Sequence, residues 1–347
     1  MINLTDARID KLIVHKVGNK LHDENIQFSK NEIFLEEEIS NVLLDYFLSP
    51  FKTEQYYHFY HETDLKLNEV YSCAAELFED KTAFINQSVH LASLLYEKSD
   101  HPKINKGEFY IVTLDNCYVN GEEVQAIGLF KSELRESFLK VYPTEESFAI
   151  HCDEGINIKK LDRGCIIFNT EKENGFLVTM IDSLSKGTDA QYWKDEFLKI
   201  IPRKDNFYHT QNIMSFCKSY IQEQLPEEYE ITKAEQAIIL NKSVQFLKEK
   251  DAFDFNEFTQ EVFEEPEIIQ SVKNYRQDFE QQTNAHISDE FDISSQAIKK
   301  QARVMKSVIK LDKNFHIYVH GKRQYIQKGY DEEKGLNYYQ IYFKEEN

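Results

Sequence analysis

Between residues 35 and 97 the apolar positions fall three and four apart, the spacing of one helical face. In LEEEISNVLLDYFLSPF (35–51), Ile39, Leu43, Tyr46 and Phe47 share such a face. Acids fill its first turn, where the helix dipole favours them, and Pro50 sets a stop near Ser49. Segments 69–80 and 82–97 predict two more helices, the second with SVHLASLLYE as its apolar face and Thr82 as candidate cap. Ahead of them, ARIDKLIVHKV (7–17) predicts a strand carrying Ile9, Leu12 and Val14, without strict alternation.

The texture changes at Gly107. EFYIVTLDNCYVNGEEVQAIGLFKS (108–132) holds two β-rich runs around Asn120-Gly121, and Asn-Gly is the strongest short hairpin signal. SFAIHC (147–152) and RGCIIFNTEKENGFLVTMID (163–182) repeat the pattern, with EKENG as a second turn. Together these predict an α+β domain over 1–187, a mainly antiparallel sheet with helices packed on it. From about Thr188 the period returns to helical. DAQYWKDEFLKII (189–201) places Tyr192, Phe197 and Ile200 or Ile201 on one side, and helices follow at 208–223, 232–249, 254–263, 266–282 and 294–310. NFHIYVHGKRQYIQKG and LNYYQIYF then predict a small antiparallel sheet of three strands, its first turn at Gly321-Lys322. The second domain, 188–347, is thus expected to be mostly helical, closing with a basic helix and a β-hairpin unit.

Composition narrows the picture. The chain has 347 residues, 41% hydrophobic and 13% aromatic, with only 11 Gly and six Pro, which leaves no room for long flexible linkers. No solenoid repeat is visible. MINLTDARID has no apolar core of a signal segment, and no apolar run approaches membrane-spanning length, so no membrane partner is expected. The five cysteines are dispersed without a C-x-x-C pair, which predicts free thiols in a reducing cytoplasm.

Charge changes it most. The formal net charge is -19, which taken alone repels polyanions. Residues 223–292 hold 18 acids against six Lys or Arg. Residues 299–328, by contrast, hold nine Lys or Arg against one acid, Asp312. On a helix, Ile298, Ala302, Met305 and Ile309 would form an apolar stripe beside a basic one of Lys299, Arg303, Lys306 and Lys310, with Lys300 at its edge. The following strand should turn Phe315, Ile317 and Val319 inward and His316, Tyr318 and His320 outward, with Lys322 and Arg323 in the turn. Screening over roughly 8 Å lets such a local patch act despite the acidic total. Helix plus ribbon, each basic outside, suits a phosphate backbone, and Lys in place of Arg suits point-charge contact without base reading.

Catalytic motifs are missing: there is no G-x-x-x-x-G-K-[ST], H-E-x-x-H or G-x-S-x-G. His58, His61 and Glu62 read as aromatic-rich packing with an incidental histidine pair, Asp153-Glu154 and Asp162-Arg163 as turn residues, and Cys165 as core. Asp115, Glu122, Glu123 and Lys131 around the first hairpin invite a metal-dependent nuclease reading but match no defined spacing.

Three blocks carry more than composition. AIGLFKSE (126–133) preceded by GEEV, LDRGCIIFNTEKENGFLVTMID (161–182) and DAQYWKDEFL (189–198) resemble the NdpA-like, nucleoid-associated protein family of bacteria. The resemblance implies a cytoplasmic protein found with the nucleoid and touching DNA, and it implies no catalytic residue and no cofactor. The acidic total departs from the profile of a small architectural DNA protein. The resulting expectation is a non-enzymatic, homodimeric binder of double-stranded DNA. Lys299, Lys300, Arg303, Lys306, Lys310, Lys322 and Arg323 would contact phosphates with little sequence preference. The alternative is an interaction module reaching the nucleoid through a protein partner on its acidic surface.

Overall fold

The computed structural model describes residues 2–52, 54–184, 192–283, 285–302, 305, 308–312, 315–318, 325–343 and 345. The chain is α+β and forms two compact units, 1–203 and 204–347.

The first unit is built on an eight-stranded sheet. Its strands are β1 (Ile2–Asn3), β2 (Arg8–Val17), β3 (Tyr57–Phe59), β4 (Gly107–Val119), β5 (Glu122–Ser132), β8 (Arg163–Phe168), β9 (Leu177–Asp182) and β10 (Ile200–Pro202). The order runs β1-β4-β5-β8-β9-β3-β10, with β2 also on β4, and every pairing is antiparallel. Between β5 and β8 the chain leaves the sheet as a separate hairpin, β6 (Glu136–Pro143) and β7 (Phe148–Gly155). The Asn120-Gly121 turn has φ of 54° and 89°, the left-handed pair that a two-residue hairpin requires.

Both faces of the sheet are covered. Helices α2 (Glu69–Glu79) and α3 (Phe84–Glu97) pack with Ile13, Phe109, Ile111, Leu129, Cys165 and Val178 on one face. Helix α1 (Glu37–Leu48) brings Tyr46 and Phe47 against Leu12, Val112, Phe130, Ile166 and Phe168 on the other. This explains the broken alternation: adjacent residues Leu12 and Ile13 are buried on opposite faces, and all six residues of β8 are buried. The segment Tyr192–Leu198 forms a short π-helical turn with Trp193 and Phe197 in the first core. The helical pattern of 189–201 stops there, because Ile200–Pro202 pairs with β3.

The second unit contains α4 (Asn206–Ser219), α5 (Leu225–Glu228), α6 (Lys233–Glu249), α7 (Phe255–Phe263), α8 (Pro266–Thr283) and α9 (Ser295–Ala302). Helix α6 starts on a reciprocal capping box between Thr232 and Glu235. Three two-stranded ribbons complete it: β11 (Ala252–Asp254) with β12 (Glu290–Asp292), β13 (Val308–Leu311) with β14 (Phe315–Tyr318), and β15 (Ile326–Asp331) with β16 (Leu336–Ile341). Two expectations change here. The described part of the predicted basic helix 294–310 is helical only to Ala302, and 308–311 is a strand. The terminal strands form separate hairpins in place of one three-stranded unit. The reason is packing. Ile298 and Met305 join the helical core, whereas Ile309 is buried in a different cluster with Ala234, Ala237 and Ile238. Among the described residues, no helix is long and apolar enough to cross a membrane.

Candidate functional site

Of the basic residues that a single helix would have lined up, the described ones fall on two different elements. Lys299 is exposed on α9 and Lys310 is exposed on β13, opposite His316. Neither makes an ion pair with a described residue. Lys300 is engaged: its ammonium lies 5.7 Å from the centroid of the Phe207 ring, and burial lowers its pKa. Arg303, Lys306, Lys322 and Arg323 lie outside the described residues, as does the turn at 321–322. On β14, Ile317 is half-buried against the Ile309 cluster as expected, but Phe315 is exposed beside His316 and Tyr318. The acidic block supplies many of its own counter-ions. Lys250 reaches Glu257 at 2.6 Å and Glu261 at 3.2 Å, Lys242 pairs with Glu264, and Arg276 reaches Asp289 at 2.5 Å and Glu280 at 3.7 Å.

A second constellation was not legible as such. Lys131 on β5 stands directly across the ladder from Arg163 on β8. Like charges so placed repel, and here both side chains are almost fully buried. Glu133 resolves the conflict. Its Oε1 lies 3.1 Å from Lys131 Nζ, contacts Arg163 Nη1, and accepts the Tyr192 hydroxyl at 3.0 Å. Its Oε2 accepts the Asn105 N–H at 3.1 Å. Lys131 also donates to Asn105 O (3.1 Å) and to the Tyr192 oxygen (3.2 Å), while Arg163 Nε reaches Asp182 Oδ2 at 3.3 Å. Burial pushes Glu133 up, but the Lys131 and Arg163 charges outweigh it and hold its carboxyl below the ordinary range. Burial pulls Lys131 down and drives the Tyr192 phenol well up.

The Lys131, Glu133 and Arg163 side chains have almost no solvent exposure, and the contacts they make are between strands of the sheet and Tyr192. They sit where the chain leaves the sheet for the β6–β7 hairpin and returns. Asp162 Oδ2 accepts the N–H groups of Glu133 (2.7 Å) and Leu134 (2.9 Å), tying the outgoing strand to the returning one. Asp162 and Arg163, read from sequence as turn residues, are therefore buried parts of this clamp. The available signal was charge at the ends of otherwise apolar runs, Lys131 after AIGLF and Arg163 before GCIIF.

Lys131 does not meet the hairpin acids: it pairs with Phe109, whereas Glu122 and Glu123 pair with Val119 and Tyr118 at the opposite end of β5. His58 Nε2 lies 2.7 Å from Glu171, and His61 contacts Thr63. Among the described residues, no group of three or more His, Cys, Asp or Glu is placed to hold a metal ion.

A family model described as nucleoid-associated protein YejK matches residues 13–335. No curated protein matches the chain. The matched span takes in the clamp residues, the hairpin between them, and the basic segment.

Proposed function

The chain belongs to the nucleoid-associated protein YejK family, and on that premise we propose that it binds double-stranded DNA directly, as a non-enzymatic protein of the cytoplasmic nucleoid. Phosphates would be met by Lys299, Lys300, Arg303, Lys306, Lys310, Lys322 and Arg323. The observation that supports this most is the state of Lys299 and Lys310. In a chain of net charge -19, both are exposed and neither pairs with a described acid, although an acidic block lies in the same unit. Lys300 contributes least, since its ammonium is drawn over Phe207. A homodimer would present two such modest patches to one duplex and gain through effective concentration.

If five cations each neutralise a phosphate, log K against log salt falls with a slope of about -4.5, from roughly -0.9 per contact. Replacing Lys299, Arg303, Lys306 and Lys310 together by Glu abolishes the mobility shift of duplex DNA. Unchanged binding by a folded variant would overturn the proposal. Recovery of the same protein partner after nuclease treatment, with no intrinsic DNA shift, would establish the alternative, recruitment through the acidic surface.

A further inference from the structure

Helix α6 carries a buried amide that the fold does not use. Gln236, in its first turn, is 3% exposed, and its Nε2 has no hydrogen-bond partner among the described residues. Its Oε1 accepts from Lys233 Nζ at 2.9 Å. That contact fixes which way round the amide lies, since a turned amide would set its N–H groups against an ammonium. Two donors are left unmade in a buried place, a costly arrangement that folded chains rarely keep. Gln236 also lines a cavity of about 480 Å³ formed with β13 and the turn Tyr220–Gln224. Ala237, Leu240, Val308 and Ile309 give this cavity an apolar wall. Lys233 and Lys310 line it too; both are exposed, and Lys310 makes no ion pair with a described residue. The one acid among the described lining residues, Glu223, accepts the Ser219 hydroxyl at 2.7 Å. A largely apolar cleft of several hundred Å³ with a few convergent polar groups is the form of a small-molecule site.

We propose that this cavity binds a small phosphate monoester with an apolar body, of the nucleoside monophosphate class. The unmade amide N–H₂ of Gln236 and the ammonium groups of Lys233 and Lys310 come from two elements, yet all are donors. Together they ask for an anion with several acceptor oxygens. A phosphate monoester offers three and carries more charge than a carboxylate, and lysines meet it as point charges. Inorganic phosphate would leave the aliphatic wall bare, and a purely apolar molecule would leave the donors unmade, so the ligand has both parts. Glu223 is an acceptor and suits a hydroxyl or amino donor, which a nucleoside carries. Lys310 also belongs to the proposed DNA surface. Gln236 does not: it is buried, and only a group that enters the cavity can use it.

This inference does not depend on DNA binding and is tested without DNA, by titration calorimetry of the full chain with adenosine 5′-monophosphate, adenosine and inorganic phosphate. The monophosphate binds at least about 10-fold tighter than either of its parts, since each part leaves half of the site unused. Gln236→Leu lowers its affinity at least about 10-fold, the usual scale for a hydrogen bond to a charged group. The same variant keeps or raises the melting temperature of the unliganded chain, because an apolar group of similar size replaces a donor that had no partner. Lys310→Met, at an exposed position, lowers the affinity by a similar factor. Gln236→Leu leaves the mobility shift of duplex DNA as in wild type, so the cavity and the DNA surface fail separately. No heat with the monophosphate at millimolar concentration, or adenosine binding as tightly as the monophosphate, overturns the proposal. So does a Gln236→Leu variant that binds as before, or one that melts well below wild type, which would give the amide a structural task.

Discussion

Glu133→Gln is the sharpest probe of the clamp at the hairpin root. Glutamine keeps the shape and can still accept from one neighbour. It removes the carboxylate that contacts both Lys131 and Arg163, and it turns an amide N–H₂ toward the groups that the carboxylate served. A lost neutral hydrogen bond costs about 1 kcal/mol. Leaving two buried cations without their anion costs about 3–5 kcal/mol. Two features favour the lower end: Asp182 still faces Arg163, and burial already lowers the pKa of Lys131, which can shed its proton. Urea unfolding followed by Trp193 reads the right unit, since it is the single tryptophan and is fully buried in the first core. With a slope of roughly 2 kcal/mol per molar, a loss of about 3 kcal/mol lowers the midpoint by about 1.5 M at unchanged slope. The sign with pH follows from the depressed carboxyl. Its contribution is complete above the unfolded value of about 4.3 and fades as pH falls toward the folded one, so the gap between wild type and variant closes below about pH 4. A midpoint shift under about 0.3 M at neutral pH would refute the reasoning, because it is what an exposed pair would give.

Other outcomes follow from single positions. His15 is buried, accepts the Ser29 N–H on Nδ1 and contacts Ser88 through Nε2, and burial lowers its pKa to about 4. The unfolded chain therefore takes up a proton between pH 6.5 and about 4 that the folded chain refuses. Stability falls by about 3 kcal/mol over that window, and His15→Asn flattens the decline in Trp193-detected unfolding. Gly175 has φ of 103°, and a Cβ there would lie 2.4 Å from the Phe59 carbonyl oxygen; Gly175→Ala thus costs at least about 1–3 kcal/mol of first-unit stability in the same assay. Lys299→Glu with Lys310→Glu reduces the steepness of the DNA salt dependence by about 2, and an unchanged slope would remove both from the phosphate contacts. Mg²⁺, Mn²⁺ and chelator leave the melting temperature unchanged and produce no cleavage of DNA; turnover with either metal would revive the nuclease reading.

Local sequence by itself determined much of this protein. Periodicity placed α2, α3, α6, α7 and α8 within about two residues, because each is an amphipathic segment with its own ends, such as the Thr232–Glu235 box. Asn120-Gly121 determined the first hairpin, because only that backbone geometry closes it without splaying the strands. The three recognisable blocks determined the family. What tertiary structure decided was where charge and apolar surface meet across distance. Lys131, Glu133, Arg163 and Tyr192 come from three separate segments, and only the β5–β8 register opposes the two cations and brings the acid between them. The place of Ile309 was also decided there, since it is buried on β13 with Ala234, Ala237 and Ile238 and not on one stripe with Ile298. The β6 strand escaped the pattern because its apolar residues, Phe138 and Tyr142 on one face of the ribbon and Leu139 and Val141 on the other, are all exposed, so no single buried face imposes an alternation.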